Sequence, residues 1–141
     1  MKMSKPAIEV ARRPAAFIVV ATVLAAFLAG ASAPSPLYGV YARTWGFSPV
    51  TVTAVFAIYA IALLGTLLVS GTLSDALGRR PVILMALGLQ SLAMALFLLA
   101  SGVAWLYLAR ITQGVATGLV TAAVSAALLD LQPADRPGRG Q

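Results

Sequence analysis

The sequence predicts an all-α, polytopic membrane protein with four transmembrane helices. Of its 141 residues, 60% are hydrophobic and only 10% are charged, and the mean hydropathy is +0.93. A soluble domain of this size has about a quarter of its residues charged. Long uncharged runs of helical length alternate with short charged segments, as expected for a chain that crosses the bilayer repeatedly. A lipid bilayer is therefore the expected environment.

Composition also excludes several functions. The chain has no cysteine and no histidine, which rules out disulfides, thiolate chemistry and histidine-based metal or acid–base sites. The net charge of +6 does not indicate nucleic acid, because the basic residues lie in small clusters between apolar runs. The sequence contains no pattern of nucleophile and base, so neither an enzyme nor a bound cofactor is expected.

The uncharged runs define the predicted domain organisation. About 20 helical residues cross the hydrocarbon core, and each run is long enough. We place a cytoplasmic tail at 1–14, a transmembrane region at 15–130 and a polar loop or truncated end at 131–141. The predicted spans are 15–38, 49–72, 81–101 and 103–129.

The distribution of basic residues predicts the orientation. With a cytoplasmic N-terminus, the outer segments hold only Arg43, against eight lysines and arginines inside. The inner residues are Lys2, Lys5, Arg12, Arg13, Arg79, Arg80, Arg136 and Arg139. An interfacial aromatic belt is predicted at the outer boundary from Tyr38, Tyr41, Trp45, Trp105 and Tyr107. A cleavable signal peptide is a competing interpretation of the N-terminus, but the apolar run is long for a signal.

Prolines lie at several of the predicted helix ends and starts. Pro34 and Pro36 end or kink the outer part of the first span, and the freed backbone groups must be satisfied by protein or water. Two interpretations of this segment stay open: a simple helix end, and a kink that borders a cavity. Ser48 is the expected N-cap of the second span, which starts at Pro49, and Pro81 is expected to start the third.

One face of the fourth span is small and polar. It consists of Arg110, Gln113, Gly114, Thr117, Gly118 and Thr121, spaced as one side of a helix. Lipid does not favour such residues, so this face should contact protein or a cavity. The glycines form a GxxxG pair that predicts close helix packing, within the protein or in a dimer. Arg110 either snorkels outward or faces a cavity, and Gln113 one turn deeper favours the cavity.

The segment "GTLSDALGRR" at 71–80 concentrates charge between the second and third spans. Gly71 would permit close approach of another helix, Gly78 would allow a tight turn, and Asp75 can pair with Arg79. Topology alone explains the arginines but not the acid or the glycines.

Two motifs carry a resemblance to a known family. Residues 71–83 resemble the signature between helices two and three of the major facilitator superfamily of transporters. The matching residues are Gly71, Leu73, Asp75, Gly78, Arg79 and Arg80. The family often has a basic and an aromatic residue where Ala76 and Leu77 stand. "LYLARITQGVATG" at 106–118 is similar to the helix-four motif of proton-coupled efflux branches, Arg-x-x-Gln-Gly. The segment 32–49 is more loosely similar to drug-efflux members.

This resemblance implies the first four of the family's usual twelve helices, within the N-terminal six-helix bundle. It implies secondary active transport of a small organic solute by alternating access, as proton-linked efflux driven by the proton gradient. The 71–80 cluster would latch the two halves of the transporter, with the missing C-terminal helices as partner. Arg110 would serve proton coupling or substrate handling. The arginine- and alanine-rich composition indicates a bacterial cytoplasmic (inner) membrane.

Two interpretations compete with the N-terminal part of a longer transporter. A non-transporting four-helix scaffold or an inactive truncated fragment remains open. A four-helix multidrug exporter acting as a dimer would need a buried membrane glutamate, whereas Glu9 lies in the tail. No acidic residue lies deep in any predicted span, so this piece of sequence shows no proton carrier.

Overall fold

The structure, a computed structural model, describes residues 5–131; the side chains at 5–15, 74–75 and 128–131 lie outside that description. Over these residues the chain forms five α-helices and no strand, which confirms the all-α fold class. The helices are α1 (Lys5–Ser32), α2 (Leu37–Trp45), α3 (Pro49–Leu77), α4 (Arg79–Leu98) and α5 (Val103–Leu131). Most of the predicted N-terminal tail is thus part of α1, whereas 1–4 and the predicted end at 132–141 lie outside the described residues.

Three segments of the described helices have the length and composition of membrane spans, and α5 is not among them, so its crossing of the membrane stays a prediction. Among the described residues, three segments qualify: Ala16–Trp45, Pro49–Leu73 and Arg79–Leu98. They correspond to the first three predicted spans and leave large apolar side chains exposed, among them Ile18, Leu68 and Leu98. The 29-residue α5 covers the fourth predicted span. The chain is a polytopic all-α membrane protein.

The helix boundaries differ from the predicted spans in ways that proline and glycine explain. The first span is broken, because α1 stops at Ser32 and the chain resumes as α2 at Leu37. The predicted start of α3 is confirmed, with the Thr51 backbone N–H donating to Ser48 Oγ at 3.4 Å. The expected start at Pro81 is wrong: α4 begins two residues earlier, at Arg79. Proline is tolerated there because its missing N–H belongs to the unbonded first turn.

The α3–α4 connection consists of a single residue. Helix α3 continues to Leu77, past the predicted end at 72, because Gly65 and Gly71 keep helical backbone conformations and, of these three glycines, only Gly78 has a positive φ. Gly78 has φ +83° and ψ 159°, a backbone conformation that side chains disfavour. The expected tight turn at this glycine is therefore confirmed, and most of the 71–80 segment is helical.

Helix α5 lies at the centre of the bundle and packs against α1, α3 and α4. Small and branched side chains along it are fully buried, as at Ala109, Ala116 and Val120. At the glycine pair, α5 approaches α3 so closely that an added Cβ would have no room. It would lie 2.6 Å from the Tyr59 carbonyl oxygen at Gly114, and 2.9 Å from that of Leu63 at Gly118. The GxxxG pair thus packs within the chain.

Adding one methyl group at this contact should separate the two helices. We expect Gly114→Ala to lower the free energy of unfolding by about 1–3 kcal/mol, because backbone atoms cannot move aside as a flexible side chain can. Thermal unfolding of the purified chain in detergent measures this. The matched control is Gly88→Ala in α4, where a Cβ meets nothing within 4 Å. Equal stability of the two variants would contradict the close contact.

Candidate functional site

Arg110 is the centre of a buried polar network. It lies about two turns into α5, and its side chain is only 1% exposed. Its Nε donates to Tyr38 Oη at 2.6 Å, and its Nη1 donates to Gln113 Oε1 at 2.6 Å and to the Ala31 carbonyl at 3.1 Å. The guanidinium therefore connects α1, α2 and α5. The snorkelling alternative is wrong, whereas an open cavity beside this arginine stays a prediction.

Aromatic rings enclose the same guanidinium. The Arg110 Cζ atom lies 4.8 Å from the centroid of the Phe56 ring and 5.3–5.5 Å from those of Tyr38, Tyr59 and Phe97. These rings come from α2, α3 and α4. Ring faces attract a cation electrostatically, and more strongly where water is excluded. Together with the hydrogen bonds, they offset part of the cost of removing the charge from water.

The acidic positions on the described helices all lie far along the helix backbone from the residues of the Arg110 network. At 1.5 Å of rise per residue, Asp130 lies about 30 Å along α5 from Arg110. Asp75 is about 24 Å along α3 from Tyr59, and Glu9 is about 33 Å along α1 from Ala31. The fourth acid of the sequence, Asp135, lies outside the described residues. Over the described part of the chain, neutral oxygens and rings alone balance the positive charge.

Gln113 extends the network inward, and a second glutamine, Gln90, lies close to it without joining it. Gln113 Nε2 donates to the Gly30 carbonyl at 3.0 Å, and the Thr117 hydroxyl donates to the backbone carbonyl of Gln113 at 2.9 Å. Gln90, on α4, has both amide atoms buried without a hydrogen-bond partner, as does Nη2 of Arg110. A Cβ at Gly30 would lie 2.6 Å from Gln90 Nε2, so this glycine makes room for the amide.

Sequence reasoning missed part of this site. Tyr38 was assigned to the interfacial belt, but its side chain is buried and bonded to Arg110. Phe56 and Phe97 carried no signal that separates them from other apolar residues. Gln90 had one, since it is the only amide in the otherwise apolar run at 81–101. Within that run an unpaired amide is costly and therefore informative.

The structure does not bring the 71–80 motif to this network. Gly71 lies about 18 Å along α3 from Tyr59. Leu73 packs against the apolar core, Arg79 is half-buried, and Arg80 is exposed. The side chain of Asp75 lies outside the described part, so its pairing stays a prediction. No described residue approaches Gly71, where a Cβ would meet nothing within 4 Å. The motif and the Arg110 network are separate sites.

Comparison with known proteins gives one match. Residues 16–141 match the family model described as Major Facilitator Superfamily. That range begins within α1 and includes the proline break, the 71–80 segment and the Arg110 network. The chain matches no curated protein and no solved structure.

The planar shape of the guanidinium should matter as much as its charge. A lysine has one flexible ammonium and cannot reach Tyr38 Oη, Gln113 Oε1 and the Ala31 carbonyl together. We expect Arg110→Lys to lower the free energy of unfolding by about 1–3 kcal/mol, because buried acceptors lose their donor. Tyr38→Phe removes one acceptor but keeps the ring, so its loss should be smaller. Thermal unfolding in detergent compares them, and a lysine variant as stable as the wild type would rule out this bridging role.

Proposed function

The chain belongs to the major facilitator superfamily of membrane transporters, and we propose that it serves in proton-linked efflux of a small organic solute. The observation that carries this proposal is the buried Arg110 network. Arginine within a membrane helix is costly, up to roughly 2.5–3.5 kcal/mol at the helix centre on insertion scales, so it is rarely retained without a function. Its contacts reach all the helices around it, as a site that responds to helix movement would need.

The chemistry of arginine limits its part in proton coupling. A guanidinium stays protonated in proteins, so Arg110 cannot itself carry the proton. Its role is electrostatic: the charge disfavours a second cation nearby and favours the ionised form of a carboxylate brought close. Since no acid on the described helices is near Arg110, the proton carrier in this proposal belongs to helices beyond them. In the family's twelve-helix plan, those would be the remaining helices of the transporter.

We assign the 71–80 segment to the latch between transporter halves. Gly78 holds α3 and α4 in a one-residue connection, and the exposed Arg80 presents a charge at its end. The open face at Gly71 suits the approach of another helix, because no side chain stands in the way. Asp75 and Arg79 are included in the proposed latch because of their positions in the sequence motif. The halves would then rock about a central site, as in alternating access.

Flux measurements in vesicles test the coupling. The chain is reconstituted together with the remaining helices of the proposed transporter, and the movement of fluorescent dyes and of sugars is followed with and without a proton gradient. We expect gradient-dependent flux above that of protein-free vesicles, and a roughly tenfold loss in Arg110→Ala, equivalent to about 1.4 kcal/mol of coupling. Arg43→Ala is the matched control, since it removes an exposed arginine at the end of α2.

Three outcomes of the flux experiment would change the proposal. Unchanged gradient dependence in Arg110→Ala would remove the coupling role. Wild-type flux that does not depend on the gradient would support transport but contradict proton linkage. A folded chain that moves no solute would favour the scaffold or fragment interpretation for these 141 residues.

We further propose a cytoplasmic N-terminus in a bacterial inner membrane, on the strength of the positive-inside bias. The absence of native cysteine makes this testable with single-cysteine variants. Thr44→Cys lies in the last turn of α2, on the proposed outer side, and Arg80→Cys lies in the first turn of α4, on the proposed inner side; both positions are exposed. In intact cells, a membrane-impermeant maleimide should label the first and not the second, and both after lysis. Labelling of the second alone would reverse the topology.

A further inference from the structure

The break between α1 and α2 leaves two carbonyl oxygens without their helical donors. In an unbroken helix the Gly30 carbonyl would accept from the N–H of residue 34, but Pro34 has none. The Ser32 carbonyl would likewise lose its donor to Pro36, and it accepts from the Ser35 N–H instead, at 3.0 Å. In an unbroken helix, the Ser35 N–H would instead donate to the Ala31 carbonyl. The two prolines together therefore free the carbonyls of Gly30 and Ala31.

Helix α5 supplies the replacement donors. Gln113 Nε2 donates to the Gly30 carbonyl at 3.0 Å, and Arg110 Nη1 donates to the Ala31 carbonyl at 3.1 Å. These are the two oxygens that the prolines free. Buried backbone groups in a membrane must be satisfied within the protein, and here the donors come from another helix.

We propose that Gln113 and Arg110 form a hinge lock on the broken first helix. The lock holds both sides of the break, since Arg110 Nε also binds Tyr38 Oη on α2. Helix α5 thereby fixes the angle between α1 and α2. A movement of α5 that withdraws the two side chains leaves the carbonyls unbonded, and the break then bends freely. The lock uses hydrogen bonds to neutral acceptors, so it holds whether or not Arg110 couples to protons.

The lock makes Gln113 a positioning residue whose role depends on Pro34. Gln113→Leu removes both the donor to Gly30 and the acceptor of one Arg110 bond, and it should lower the melting temperature by roughly 2–4 °C, as expected for two lost buried hydrogen bonds in a chain of this size. In a Pro34→Ala background, the alanine supplies the missing N–H to Gly30. The same Gln113→Leu change should then cost about half as much, because only the bond from Arg110 to the glutamine oxygen is still lost.

Thr112→Val provides the matched control for this double-mutant cycle. Thr112 is half-buried on α5, and its hydroxyl donates within its own helix, to the Leu108 carbonyl at 2.9 Å, so it takes no part in the lock. Its effect should be the same with and without Pro34→Ala. Should Gln113→Leu fail to fold, Gln113→Asn gives the same cycle, since its amide is one methylene too short to reach Gly30. Additive effects of Pro34→Ala with either Gln113 variant would overturn the proposal.

A distance measurement reports the hinge directly. Spin labels on Ile18→Cys and Val40→Cys occupy exposed positions of α1 and α2, and no native cysteine interferes. An unbroken helix would separate the two positions by about 33 Å. We expect a shorter, narrow distance distribution in the full chain, a broader one in Gln113→Leu, and a narrow one again when Pro34→Ala is added. A distribution that Gln113→Leu leaves narrow would show that the glutamine does not hold the hinge.

Discussion

The guanidinium of Arg110, buried in a bundle whose described helices bring no carboxylate near it, is the constraint on which the rest of the structure depends. A charge removed from water must be compensated by whatever the surrounding helices offer. Here the compensation consists of a phenol oxygen, an amide oxygen, a backbone carbonyl and four aromatic rings. Each of these requires a particular feature of the fold. The carbonyl is available only because prolines break α1, and the phenol is in reach only because α2 resumes after the break.

Close packing of α5 on α3 is the second condition for burying the Arg110 guanidinium. The rings of Phe56 and Tyr59 lie on α3, and they reach Arg110 because that helix approaches α5 at backbone contact distance. Gly114 and Gly118 make this approach possible one and two turns below the arginine. The Arg-x-x-Gln-Gly pattern therefore joins two physical requirements in one helix turn. The arginine and glutamine donate toward α1 and α2, and the glycine admits α3.

The sequence allowed prediction of the fold class, the buried face of α5 and the break at Pro34, because lipid and proline impose local rules. It did not identify the acceptors of Arg110, since backbone carbonyls have no signature in sequence. Tyr38 was misassigned because a tyrosine near the membrane boundary satisfies the rule for an interfacial belt equally well. The α3–α4 connection proved shorter than predicted because Ala76 and Leu77 extend α3 until Gly78 ends it. Local rules predict the helices, whereas their contacts depend on pairing between residues that are far apart in the sequence.

The neutrality of the acceptors bears on how such a network can move. Removing one partner of a buried ion pair leaves an uncompensated buried charge, which costs about 3–5 kcal/mol. Withdrawing a donor from a carbonyl leaves one orphaned polar group, at about 1–3 kcal/mol, and water or another donor can replace it. The rings of Phe56 and Tyr59 on α3 and of Phe97 on α4 take no part in these hydrogen bonds, so a guanidinium that stays beside them keeps part of its compensation. A network of this kind holds two helix segments firmly, yet it can be released for a few kcal/mol, which lies within the range that ligand binding supplies to a conformational equilibrium.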